Sequence, residues 1–261
     1  MSSSSARLAP GDATRGAAAP WGFADGQLEA LKWAAVVSML VDHIGRHLLG
    51  HGTDTWIFAV GRLAFPLFAL VLALNLSRAG DRATRARRTA GRLAAWCALS
   101  VLPSIWARGD PWVVNVLGTL ALGAAVCWAI ESRAPWFWRT AGALGALVLG
   151  EFCEFGAGGV ALVAAIYVAS LHRPGSTVPL RGRTPNLISM LTLVLAATLL
   201  LATAWLNVGS GGWMGWPGTL ASVPVALLVR ALPLHVPRWQ WLFYGLYPAH
   251  LALIGAWKWA G

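Results

Sequence analysis

Apolar runs of roughly bilayer length recur along almost the whole chain, and the connections between them are too short to fold by themselves. Read with a window of about 19 residues, they fall near 28–49, 56–77, 93–107, 112–131, 137–152, 157–171, 187–207, 216–233 and 240–259. A backbone in hydrocarbon must satisfy its own amides, so such runs are expected to be helices. The pattern therefore predicts an all-α, polytopic transmembrane bundle of about nine helices, with residues 25–261 as one domain. A chain that is 57% hydrophobic and only 11% charged, with mean hydropathy +0.61, is too apolar for an ordinary soluble domain. Residues 1–24, rich in Ser, Ala, Gly and Pro and without the apolar core of a secretory signal, are expected to form a disordered cytoplasmic tail.

The net charge of +10 lies between the apolar runs and not in a separate basic domain, which argues against a nucleic-acid partner. Orientation explains it better. The connector SRAGDRATRARRTAGR carries Arg78, Arg82, Arg85, Arg87, Arg88 and Arg92, and translocating so many guanidinium groups is disfavoured, so this loop is expected to be cytoplasmic. Alternation then puts Arg7, Arg15, Arg133, Arg139, the stretch from Arg173 to Arg183, Arg230 and Arg238 on the same side, where the basic loops can also meet anionic lipids or, as the lesser reading, the phosphates of a cytosolic donor. Only Arg46, Arg108 and Lys258 fall on the other, giving an inside amino terminus and an outside carboxyl terminus. Trp21, Trp56, Trp106, Trp112, Trp136, Trp138, Trp241 and Trp259 lie near proposed span ends, where indole prefers the interface. Cys97, Cys127 and Cys153 form no CxxC pair and read as buried free thiols.

The first run, LKWAAVVSMLVDHIGRHLLGH, is unusually charged for a span, and ionisable groups inside a membrane are costly. Lys32 and His43 are eleven residues apart, which on an α-helix places them on one face about 16 Å from each other. Glu29, Met39, Arg46 and His47 fall near the same stripe, so the charged groups point together toward protein. Lys32 is expected near the cytoplasmic end, where it could instead snorkel to headgroups. Asp42 beside His43 could fix the tautomer of an imidazole acting as base or nucleophile. Neighbours on a helix point about 100° apart, however, so Asp42 could pair with another helix through Arg62. The spacing of His43, His47 and His51 also suits a metal face, but no Cys or carboxylate cluster reinforces it, and no metal is expected.

Further polar marks stand in apolar surroundings. Arg62 lies inside the second span, with Pro66 able to open the backbone nearby; it needs a partner, either Asp42 or an anionic substrate group. Asn115 in NVLGTLALG suits a hydrogen bond between helices. Glu154 in EFCEFGAGGVALV sits at an outward hairpin, where it is either solvated or positioned to receive a proton or bind an amine. Tyr247, Pro248 and His250 put a phenol, a helix-distorting residue and an imidazole within about one turn; His250 is read as packing or as a substrate or acyl-group contact.

The blocks LKWAAVVSMLVDHIG, VGRLAFPLFALVLA, NVLGTLALG, EFGAGGVALV and FYGLYPAHLALI, in this order from about residue 28 to the end, resemble the TraX family, membrane proteins associated with amino-terminal acetylation of conjugative pilin. DHIG followed by GRLAFPLFA is the most specific part. The first block is also similar to the wider transmembrane acyltransferase group, whose signature is a basic residue, ten intervening residues and a histidine. That resemblance implies His43 as the acyl-handling imidazole, Lys32 as a supporting or donor-binding cation, acetyl-CoA as donor and residence in a bacterial inner membrane. The chain departs from the expected pattern at Glu154, where Glu-Phe-Gly replaces Asp-Tyr-Gly.

The expectation is a multi-pass O/N-acetyltransferase taking acetyl from cytosolic acetyl-CoA to an amine or hydroxyl, with pilin, an envelope glycan or a small molecule as acceptor. His43 and Asp42 would be catalytic, and Lys32, Arg62, Glu154, Asn115, Tyr247 and His250 would contact donor or acceptor. Two rivals use the same residues differently: a proton-coupled transporter, for which no internal repeat or paired broken helices are apparent, and a noncatalytic pilus or secretion assembly factor.

Overall fold

A computed structural model of the chain describes residues 20–171, 194–204 and 213–260. Apart from a 3-10 turn at Pro20–Gly22 and one isolated parallel bridge between Val114 and Cys153, regular structure among these residues is α-helical. In chain order the helices are α1 (Asp25–His47), α2 (Trp56–Gly61), α3 (Ala64–Leu76), α4 (Arg82–Arg108), α5 (Val116–Glu131), α6 (Trp136–Gly150), α7 (Gly156–Leu171), α8 (Val194–Ala204), α9 (Gly215–Leu220), α10 (Ser222–Ala231) and α11 (Gln240–Ala260). Among the described residues two stretches, Trp56–Leu76 and Arg82–Arg108, are long and apolar enough to cross a membrane by length and composition.

The arginine-rich connector expected as a loop is mostly helix. Asp81 caps it by accepting a hydrogen bond from the Thr84 backbone N–H at 3.0 Å, and alanine and arginine favour helix, so α4 starts at Arg82 and carries the basic segment and the apolar run 93–107 as one rod. It ends at Gly109, whose φ of +76° is the left-handed closure that glycine adopts without strain.

Two runs expected as single helices are each broken. Pro66 lacks the N–H that would bond the carbonyl of Arg62, and the chain parts at Arg62 and Leu63, between α2 and α3. Pro224 stands in the same relation to Leu220, the last residue of α9. Pro103 and Pro248 lie inside α4 and α11 without interrupting them, so a proline alone does not decide the break. The two broken helices pack together, and Gly218 lets the backbone of Ala59 approach where a Cβ would collide. Two broken helices, not apparent from the sequence, thus lie side by side.

Helix α5 packs against α3, α4, α6 and α7, and α1 packs against α2, α3, α10 and α11. The larger core gathers Phe65, Ala69 and Ala73 from α3, Cys97 and Ala107 from α4, Ala124 and Cys127 from α5, Val163 and Tyr167 from α7 and Leu251 from α11. A second core joins Leu28, Leu31 and Ala35 of α1 to Leu67, Val71 and Leu74 of α3. All three cysteines are buried and free. Residues 20–24, expected within the tail, are folded: Phe23 is buried in the second core and Trp21 packs against both. Trp56, Trp106, Trp112, Trp136, Trp138, Trp241 and Trp259 are exposed. The expected tail residues 1–19 and the connector from Arg173 to Arg183 lie outside the described residues.

Candidate active site

Two cavities meet along α1. The larger, about 340 Å³, is lined by Lys32, Arg78, Arg85, Arg92 and Arg238 and by apolar walls that include Met39, Phe68, Val116 and Tyr247. Those last four residues also line the smaller chamber, about 20 Å³, together with Asp42, His43, Arg62, Phe65, Glu154 and Phe155. The stripe expected on α1 thus runs from a basic mouth at Lys32 to a polar chamber at His43, with Met39 between them on both walls.

Asp42 pairs with Arg62 and not with His43. Its Oδ2 accepts a hydrogen bond from Arg62 Nη2 at 2.9 Å, with Arg46 Nη1 at 4.0 Å. Arg62 is the residue at the break between α2 and α3, and its guanidinium lies 4.5 Å from the centroid of the Phe58 ring. The close approach of α2 to α1 requires Gly61, since a Cβ there would fall on the Asp42 side chain. Asp42 Oδ1 is buried without a hydrogen-bond partner among the described residues.

The partner of His43 is another imidazole. His43 Nδ1 and His250 Nε2 are 2.8 Å apart, and His250 Nδ1 is 2.9 Å from the Leu246 carbonyl oxygen. The ring planes lie within 19° of each other with centroids 5.0 Å apart, so the rings meet edge to edge through their nitrogens. Tyr247 stands edge-on to His250 with centroids 5.5 Å apart. His47 lies one turn further along α1, its ring tilted 58° against His43. His51 is exposed beyond the helix, and among the described residues no three His, Cys, Asp or Glu side chains gather into a metal-binding group.

Glu154 lies in the α6–α7 turn and lines the chamber. Its backbone N–H donates to the Val114 carbonyl at 2.9 Å, and its Oε2 lies 3.4 Å from Arg108 Nη1. Arg108 also donates to the Val113 carbonyl at 2.9 Å. Asn115 is 1% exposed and committed at both ends of its amide: Oδ1 accepts from the Leu117 N–H at 3.1 Å, capping α5, and Nδ2 donates to the Cys97 carbonyl at 3.1 Å. It ties α5 to α4 beside the chamber and does not line either cavity.

At the mouth, Lys32 pairs with Glu29 at 2.5 Å and lies 5.0 Å from the Phe243 ring centroid. Arg78 pairs with Asp25, and Arg85 donates to the carbonyls of Leu76, the last residue of α3, and of Arg78 and Ala79 beyond it. Arg238 is 3.8 Å from Glu29 Oε1. Arg92 stands over the Tyr244 ring at 5.4 Å and has no ion pair among the described residues. From the sequence these arginines read chiefly as topology signals, with the phosphates of a cytosolic donor as the lesser reading. Their common face could have been found, because Arg85, Thr89 and Arg92 recur at the spacing of one helix side. Phe65 and Phe155, stacked at 3.9 Å against the chamber, carried no such mark.

The family profile described as TraX protein matches residues 27–257. The chain is 31% identical over 239 residues to a curated Protein TraX from Escherichia coli, covering 89% of this chain and 88% of that protein. It is 32% identical over 236 residues to Protein TraX from Escherichia coli strain K12, again covering 89% and 88%. No solved structure matches the chain.

Proposed function

The chain belongs to the TraX family, and from that premise we propose that it is a multi-pass membrane acetyltransferase that uses acetyl-CoA and works at His43. The observation that carries this reading is a pair of adjacent cavities that share Met39, Phe68, Val116 and Tyr247: one with a basic mouth and apolar walls, the other a chamber holding an imidazole. A cavity of about 340 Å³ is in the range of small-molecule sites. Arg92, unpaired among the described residues, together with Arg238 and Lys32, suits the phosphates of a nucleotide donor. The apolar walls suit the donor's uncharged arm, leading its thioester toward Met39 and Tyr247.

Acetyl-CoA supplies an activated acetyl group, whose C–S bond breaks as the acceptor nitrogen or oxygen bonds to the carbonyl carbon. His43 takes the proton that the acceptor loses and returns it to the departing sulfur, so that the products are the acetylated acceptor and CoA thiol. Arg62, held by Asp42 at the chamber wall, places positive charge near the carbonyl oxygen, where negative charge develops. Phe65, Phe68 and Phe155 keep water out. Glu154 is suited to an incoming ammonium or hydroxyl. The acceptor suggested by the family is the amino terminus of pilin, with an envelope glycan or small molecule as the other candidates.

The bilayer setting is supported by the apolar side chains left on the outside of the bundle: Leu99, Leu102 and Trp106 on α4, and Trp136, Phe137, Trp138, Leu144, Val148 and Leu149 on α6. The basic mouth would then face the cytosol, the side on which acetyl-CoA is made.

Purified protein in detergent or liposomes, given labelled acetyl-CoA and candidate acceptors, should transfer the label, and His43→Ala should abolish transfer while remaining folded. Unchanged transfer by the folded variant removes His43 from the chemistry. The paired broken helices favour a second reading, a proton-coupled transporter. Solute or proton flux in proteoliposomes without consumption of acetyl-CoA would select it.

A further inference from the structure

With both imidazoles neutral, the hydrogen bonds around His250 fix where the protons sit. A carbonyl oxygen only accepts, so the 2.9 Å contact between His250 Nδ1 and Leu246 O requires a proton on that nitrogen. A neutral imidazole carries one proton, which leaves Nε2 of His250 as an acceptor. The atom facing it at 2.8 Å, His43 Nδ1, must therefore donate. His43 in turn carries its single proton on Nδ1, which leaves a lone pair on Nε2, an atom that takes no part in the contact with His250.

We propose that His250 is the positioning residue of this site, acting through His43: it holds the imidazole in the Nδ1–H tautomer and in one orientation, so that Nε2 is presented to the chamber. This rests on the acetyl-transfer reading above. The carboxylate expected for this task, Asp42, is committed to Arg62 and Arg46. An imidazole backed by a main-chain carbonyl does the same work without adding negative charge to the chamber. When Nε2 takes the acceptor's proton, the Nδ1–H bond to His250 strengthens and spreads the positive charge along the relay. When that proton passes to the sulfur, both rings return to their starting tautomers, so proton and charge balance over the cycle.

The arrangement depends on the backbone of α11. Leu246 and His250 are one turn apart, so the helix itself supplies the terminal acceptor. Tyr247, packed edge-on against His250 and lining both cavities, confines that ring from the chamber side.

The test combines kinetics with a readout that needs no turnover. In ¹⁵N-histidine spectra of the full chain in micelles, assigned through single histidine variants, His43 should show a protonated Nδ1 and an unprotonated Nε2, the tautomer that free histidine disfavours. His250→Ala should return His43 to the Nε2–H form and lower kcat for acetyl transfer about 100-fold, with KM for acetyl-CoA changed less than about twofold. His250→Gln, whose side-chain carbonyl can accept the Nδ1–H, should recover about tenfold of that loss. An Nε2–H tautomer in the wild-type protein overturns the proposal, as does equal kcat in the Ala and Gln variants or a loss confined to KM. If wild-type protein transfers no acetyl group, the functional reading fails by itself, and the spectra still decide the state of His43.

Discussion

Asp42 on α1 and Arg62 at the break between α2 and α3 form a 2.9 Å ion pair in which Asp42 is only 2% exposed. Removing one partner strands a charge in the bundle, whereas replacing both with apolar groups does not. Arg62→Ala should therefore cost about 3–5 kcal/mol, while Asp42→Leu combined with Arg62→Met should recover most of it. Thermal unfolding in detergent measures both; equal losses would show that the pair is not what holds the break.

Gly61 and Gly142 should respond oppositely to alanine. A Cβ on Gly61 overlaps Asp42, so Gly61→Ala should destabilise by about 1–3 kcal/mol and disturb acetyl transfer through the neighbouring His43. A Cβ on Gly142 meets nothing within 4 Å, and Gly142→Ala inside α6 should stabilise by about 0.5–1 kcal/mol. Paired melting curves would reveal the opposite signs.

Arg92→Ala should raise KM for acetyl-CoA about tenfold with little change in kcat, the loss expected for one charge-assisted contact made equally in ground and transition states. Arg87 and Arg88 lie exposed on the same helix and outside the cavity lining, so their alanine variants should keep the wild-type KM. Steady-state kinetics at fixed ionic strength distinguishes a phosphate contact from general positive charge.

The start of α4 should loosen in acid. Hydrogen bonds from Thr84 hold the Asp81 carboxyl below its ordinary value of 3.8. A depressed carboxyl pKa contributes stability that is present above pH 3.8 and fades as pH falls through the folded value. Hydrogen exchange over the first turns of α4 should accelerate in that window. Asp81→Asn should keep the cap and lose the pH dependence, and Asp81→Ala should exchange quickly throughout.

The basic mouth and the α4–α5 connection should face opposite aqueous sides. A membrane-impermeant maleimide should reach Arg87→Cys only from the cytoplasmic side and Asp110→Cys only from the other. The native cysteines, all buried, give a low background. Labelling of both from one side would overturn the proposed topology.

Much of the helical layout was legible because apolar runs and helices follow the same backbone demand. Lys32 and His43 were legible as one face because helical period is fixed by geometry alone. The alternative pairing of Asp42 with Arg62 was also readable, since adjacent helical residues cannot share a direction. What stayed hidden depended on distant chain segments meeting. Nothing around His250 announces that its ring lies against His43, and although Asp81 and the spacing of Arg85, Thr89 and Arg92 mark a helix with a common face, nothing in the basic connector announces that this face lines a cavity. Arg108, read as an outer-side charge, becomes the partner of Glu154 only once the α6–α7 turn folds against the segment before α5.

The chamber beside His43 offers about 20 Å³, room for about one water-sized sphere. Phe65, Phe68, Phe155 and Tyr247 wall it, and these rings cannot shorten to admit a longer chain. On the acetyl-transfer reading proposed above, the pocket would act as a molecular ruler: the methyl of a two-carbon unit would enter the chamber, whereas the tails of propionyl and butyryl thioesters would be held in the larger cavity.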